Sequence, residues 1–196
     1  SGDCISYIDS LNNPLEEALM HHLTVSGIML AAGKKVCNFL IHPSVRKSVH
    51  GRYQQDISKV LSEMQGKCRD AGFISEIEQR YEKLNPVKFE KRDFSEVLDI
   101  IQVLLENDKI KVLVMNGNSD VGSDDYISGS NIIIGGNTLG RGVTFAGLQT
   151  IYYTRTAKKP QADTMWQHSR MFGYDRDAGL MKVFIDEHLY KLFSDI

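Results

Sequence analysis

The run "KKVCNFLIH" (Lys34–His42) decides how the rest of the chain reads. Its apolar stretch is short, contains Val, Phe and Ile, and has the length and flanks of a buried strand. Immediately before it, Pro14–Ala32 has a helical pattern, with Pro at the first turn, Glu16 and Glu17 next, and Gly33 as the stop. After it, an amphipathic segment from about Ser48 to Ala71 sets Ile57, Val60, Leu61 and Met64 at helical spacing. The alternation then continues. "FSEVLDIIQVLLEN" (Phe94–Asn107) reads as a helix and "IKVLVMNG" (Ile110–Gly117) as a strand. "SNIIIGG" (Ser130–Gly136) and "LQTIYYTR" (Leu148–Arg155) read as two more strands. "PQADTMWQHSRMF" (Pro160–Phe172) reads as a helix opened by Pro, "MKVFID" (Met181–Asp186) as a strand, and the tail as a helix.

Five apolar strands alternating with helices predict an α/β fold in three layers, a mostly parallel sheet with helices on both faces. The strands are expected near 35–42, 110–116, 130–135, 148–154 and 181–186. Residues 1–34 are read as an N-terminal helical extension and 35–196 as the sheet domain. The charged segment Ser75–Asp93 reads as an insertion or a solvated hairpin of helices.

Composition bounds the function. With 196 residues and 42% hydrophobic content, the chain suits one α/β domain of ordinary core size. A net charge of −2 announces no global basic field, so any nucleic-acid contact must come from a local patch. Cys4, Cys37 and Cys68 form neither a CxxC nor a Cys/His cluster, which argues against a disulfide framework and a zinc site. They read as reduced thiols of a cytoplasmic protein. No apolar run reaches the ~18 residues of a membrane span, and no signal peptide is visible. Ser1-Gly2 reads as a cloning scar, which would make the chain an excised domain.

In open parallel sheets ligands gather beyond the carboxyl ends of the strands. His42-Pro43-Ser44, Asn116-Gly117-Asn118 and Gly135-Gly136-Asn137 follow three of the expected strands. "GGNTLGRGVT" (Gly135–Thr144) places four glycines in Gly135–Gly142, allowing close backbone approach and exposed amide donors suited to phosphate. Arg141 adds a planar fork for phosphate or carboxylate. The plainer reading is a turn whose glycines only permit positive φ. In "QHSRMFGYDR" (Gln167–Arg176), Gln167 and Arg170 share one helix face, and Gly173 ends the helix so that Arg176 can swing round. Two such arginines suit stabilisation of a transferring phosphoryl group. The plainer reading is two surface arginines paired with Asp175 and Asp177.

A strand, "RGVT", a second strand, and a helix carrying Gln and Arg resemble the second RecA-like domain of superfamily-two helicases. More closely, "GGNTLGRGVTFAGLQTIYYTR", "ADTMWQHSRMFGYDR" and the upstream "FLIHPS" resemble the Z-one domain, a proposed endonuclease domain associated with such helicases. The resemblance runs from about Lys35 to Asp186 and is most specific in the last third. It implies a RecA-like second lobe of the P-loop NTPase type, with nucleic-acid backbone contacts from His42, Ser44, Asn116, Gly117, Gly136 and Asn137. It further implies an ATP-facing wall of Arg141, Gly142, Thr144 and Gln167, and arginine fingers at Arg170 and Arg176.

The chain departs from the general helicase pattern at four places. Thr144 stands where many helicases have an Asp that holds the ribose. Ser169 replaces the Gly before the finger arginine, Gln167 lies one residue closer to Arg170, and Gly173 occupies the second finger position. These departures suit the Z-one pattern better than a processive helicase.

No GxxxxGK[ST] loop occurs, and "AGKKV" (Ala32–Val36) lacks its spacing and its Ser/Thr. "IDEH" (Ile185–His188) mimics an ATPase acidic box but is placed as a helix N-terminus. The expected partners are therefore an upstream RecA-like ATPase lobe that holds ATP with Mg, and nucleic acid, DNA ahead of RNA, with no membrane. The chain alone should not hydrolyse ATP. Rival readings are a metal-dependent endonuclease using Asp120, Asp124 and Asp125, and a partner-docking domain with vestigial motor motifs. His21, His22, Trp166, Tyr152 and Tyr153 are read as structural, and no metal ligands are assigned.

Overall fold

A computed structural model of the chain describes residues 4–43, 47–116, 121–136, 143–154 and 175–194. Strand β2 (Val36–His42) is buried along its whole length and lies inside the sheet. Around it stand β1 (Ile5–Tyr7), β3 (Ile110–Met115), β4 (Gly129–Gly135), β5 (Leu148–Tyr153) and β6 (Lys182–Ile185). The order is β1-β6-β5-β2-β4-β3, and every neighbouring pair is parallel. The fold is therefore the expected α/β class, with a wholly parallel sheet among the described strands. Five strands fall where the apolar runs place them. The sixth, β1, lies in the segment read as helical, where three half-buried residues pair with Val183–Ile185.

The helices are α1 (Pro14–Ala31), α2 (Lys47–Lys67), α3 (Ala71–Lys83), α4 (Phe94–Glu106) and α5 (Glu187–Ser194). Pro14 opens α1, where its missing N–H costs nothing, and Ala18 to Met29 are buried without a break. Such a helix is an interior element, and it packs on α3, α4, β2 and β5. Much of the segment read as an insertion or solvated hairpin is α3, which is built into the core. Phe73 and Ile77 are buried one turn apart, and Tyr81 and Leu84 continue that stripe. Charge on the other face had hidden it.

Side chains alternate across the strands, so the sheet has two apolar faces. Cys37, Phe39, Ile41, Ile132 and Ile134 face α1 to α4. Leu40, Ile133, Leu148, Ile151 and Ile185 face the other way, against Tyr126 of a 3-10 turn (Ser123–Tyr126), Phe145 and Leu189 of α5. Phe39, Ile132 and Ile133 are 0% exposed, and burying a side chain of this kind contributes about 1.5–3 kcal/mol.

One irregularity shapes the site. Asn38 pairs with Leu148 and Phe39 with Thr150, so Gln149 is the extra residue of a bulge in β5. A bulge re-aims its side chain.

Candidate functional site

The chain leaving β2 steps across β4 to reach β3, whereas the chain leaving β4 steps back across β2 to reach β5. Opposite steps from adjacent strands make a topological switch point, beyond whose carboxyl ends open parallel sheets gather their ligands. Register fixes what borders it. Ile41 is opposite Ile134, His42 is opposite Tyr153, and Met115 is opposite Gly135. His42, Asn116 and Gly136 thus share one edge of the sheet, as their positions after apolar runs suggested.

Their side chains differ in access. Asn116 is half-buried and Gly136 is buried. The His42 ring is 1% exposed and lies against Tyr153, with ring centroids 5.1 Å apart. His42 is therefore an interior residue at the end of β2. Thr154 N–H donates to the His42 carbonyl at 3.2 Å, and the Thr154 hydroxyl lies 3.4 Å from the Tyr53 hydroxyl on α2. Ser44, Gly117, Asn137, Arg141, Gly142, Gln167 and Arg170 lie outside the described residues.

Thr144 and Arg176 are exposed and belong to segments held at the amino ends of the strands. Two residues after Thr144, the Ala146 carbonyl accepts from Asn38 Nδ2 at 2.7 Å. Arg176 sits between two anchored carboxylates. Asp175 Oδ2 accepts the Gly147 N–H at 2.5 Å, and the Asp175 carbonyl accepts from Gln149 Nε2 at 3.3 Å. Asp177 is 1% exposed. Its carboxylate accepts the N–H groups of Val87, Lys88 and Gly179 at 2.8–3.0 Å, and its own N–H donates to Gln149 Oε1 at 2.9 Å. The two carboxylates considered as surface partners for the arginines thus bind backbone amides, and they fix the chain on both sides of Arg176.

Sequence reading missed Gln149 and took Asp177 for a surface ion-pair partner, where it binds backbone amides. Asp-x-Gly over Asp177–Gly179 is the only local signal, a side chain accepting from the amide two residues on. The bulge that turns Gln149 toward this segment has no local signature.

The histidine pair is structural, as read. His21 Nε2–H donates to the Leu180 carbonyl at 3.0 Å, and His22 Nε2 lies 3.0 Å from Ser130 Oγ. Burial lowers both rings to about 3, so they are neutral, and the Lys182 charge adds to the effect at His21. Burial likewise pushes the Cys37 thiol up to about 12, so it is no nucleophile. Cys4, Cys37 and Cys68 are free thiols.

Asp125 caps its own 3-10 turn by accepting the Gly122 N–H at 2.8 Å, Asp124 is exposed, and Asp120 lies outside the described residues. Among the described residues no three His, Cys, Asp or Glu side chains come together as metal ligands. Nor is any helix among them long and apolar enough to cross a membrane. "IDEH" straddles the end of β6 and the start of α5, where Glu187 N–H donates to Asp9 Oδ1 at 3.1 Å. It is a helix N-terminus, as expected.

No curated protein and no solved structure matches this chain. One family model does, over residues 14–196, and it describes the Z1 domain.

Proposed function

The chain belongs to the Z1 domain family, and on that premise we propose that it is the second RecA-like lobe of an ATP-dependent, helicase-like nucleic-acid translocase. The observation that carries this reading is the topological switch point, where the parallel pairing of the described strands sets Asn116 and Gly136 side by side. In this reading Ser44, Asn116, Gly117, Gly136 and Asn137 contact phosphate and sugar of nucleic acid, DNA ahead of RNA. Such contacts are sequence-independent and weaken with salt. His42 positions the turn that carries Ser44.

In this reading Arg170 and Arg176 are the arginine fingers and Arg141, Gly142, Thr144 and Gln167 line the nucleotide. It would then meet Thr144 and Arg176 at the amino ends of the strands, away from the edge that carries Asn116 and Gly136. A finger has to be held in place before the transition state forms, because misplacement forfeits the gain. The amide-anchored carboxylates of Asp175 and Asp177 supply such a mount for Arg176. This chain has no phosphate-cradling GxxxxGK[ST] loop, so an upstream lobe would hold ATP and Mg. Bound ATP supplies a γ-phosphoryl group, and this chain neutralises charge on it.

The test is Arg170→Ala and Arg176→Ala in a protein that joins both lobes. Each should lower kcat for ATP hydrolysis by about 10³-fold or more and leave nucleic-acid affinity unchanged. Arg176 is exposed, so its loss should leave folding intact. Wild-type ATPase rates in both variants would remove the finger assignment.

A further inference from the structure

The bulge in β5 supplies a residue that regular pairing would not. Leu148 and Ile151, three positions apart, both face the side covered by Tyr126, Phe145 and α5, where an unbroken strand would set them on opposite faces. Gln149 is the residue inserted between them, and it is 0% exposed.

Its amide makes a specific pair of bonds. Gln149 Nε2 donates to the Asp175 carbonyl at 3.3 Å, and Gln149 Oε1 accepts the Asp177 N–H at 2.9 Å. These groups belong to the two peptides that flank the Cα of Arg176. A residue in a parallel ladder bonds its neighbour in the same way, donating to the carbonyl before it and accepting the N–H after it. The Gln149 amide thus does for Arg176 what a strand's backbone would do, in a segment that is itself in no strand. The Asp175 and Asp177 carboxylates reach outward to the amides of Gly147, Val87 and Lys88, whereas Gln149 bonds both peptides next to the arginine. With those peptides held, the direction in which the exposed Arg176 side chain leaves the surface is held too. Burial alone does not explain a glutamine here, because an apolar side chain of equal length would fill the space without an amide to desolvate.

We propose that Gln149 is a positioning residue for Arg176, and that its amide sets the backbone on both sides of the arginine. The catalytic consequence rests on the reading of Arg176 as a finger. The backbone consequence does not.

The first measurement is therefore the backbone 15N order parameter of Arg176 in this chain. It should fall from about 0.85 to about 0.6 or below in Gln149→Met, which keeps the length and removes both bonds. Gln149→Glu can accept from Asp177 but cannot donate to Asp175. It should give an intermediate value, and it decides the matter should Gln149→Met not fold. Ile133→Val, a core loss on the same face but in β4, should leave the value as in wild type. The second measurement is ATP hydrolysis in a protein that joins both lobes. Gln149→Met should lower kcat by about tenfold or more and leave KM for ATP within about twofold, since misplacing a group that acts in the transition state forfeits rate and not binding. Ile133→Val should keep both constants, which separates positioning from general loosening. An unchanged order parameter in both Gln149 variants overturns the proposal, and so does wild-type kcat in them where Arg176→Ala is impaired. Wild-type kcat in Arg176→Ala removes the finger reading instead, and the order parameter then decides the role of Gln149.

Discussion

The two faces of the sheet are closed by different means. The first lies under α1 to α4, and apolar side chains make most of that contact. The second, among the described residues, lies under a 3-10 turn, Phe145 and α5, and amide side chains fasten its cover. Asn38 Nδ2 donates to the carbonyls of Tyr126 and Ala146, and Asn131 Nδ2 donates to Asn38 Oδ1 and the Ser128 carbonyl. Apolar area is non-directional and tolerates motion, whereas two asparagines paired in register hold particular atoms of particular loops. The segment carrying Thr144 crosses the second face. A face that must place a loop uses hydrogen bonds, and one that only has to be covered uses bulk.

Acid should break this comparison most severely, and on the first face. His21 and His22 are held near 3 in the folded chain, against about 6.5 when unfolded. The unfolded state therefore binds more protons, and stability falls as pH drops from about 6.5 toward 3. Each ring can contribute up to about 1.4 kcal/mol per pH unit in that window. Urea midpoints measured across it should decline steeply, and His22→Gln should flatten the slope. An unchanged slope would show that α1 admits charged imidazole.

On the second face, Asn38→Leu should cost about 3 kcal/mol, because two loop carbonyls and Asn131 lose their donor or acceptor. Hydrogen exchange should rise over residues 126–131 and 145–149 before it rises in α1. Uniform loosening would mean that the two faces are not separable. Gly147→Ala sharpens the same point at lower cost. Gly147 has φ +64°, and a Cβ there would overlap the Val36 carbonyl. A loss of about 2 kcal/mol in unfolding free energy is expected from strain and overlap together. The smallest effect belongs to Arg92→Ala, which removes an exposed i,i+4 pair with Glu96 and should leave the urea midpoint and the exchange pattern of both faces essentially unchanged.

The apolar strands were legible because burial on both faces leaves continuous Val, Ile and Leu runs. β1 was not, since Ile5, Ser6 and Tyr7 are too few to show a period and only half-buried. α3 was obscured because its apolar residues are few against its charges, although Phe73, Ile77 and Tyr81 keep a four-residue spacing. At the candidate site, Asn116 and Gly136 could be placed from the strand ends they follow. Access could not. The burial of His42 depends on Tyr153, a neighbour through register and not through sequence. Asp177 was likewise read by its charge, whereas its partners are backbone amides 90 and 89 positions earlier.

β1 carries one last implication, for the order in which the molecule is made. Its partner β6 lies near the other end of the described chain, and the neighbouring bond from Glu187 to Asp9 closes a loop of 178 positions. Contacts that span so much chain form late, after local helices and the central strands have condensed. During vectorial synthesis Ile5–Tyr7 would leave the ribosome well before β6 and pair last. For most of that time the β6 register would be absent, and the outer border of β5 would be open to a strand from any other nascent copy.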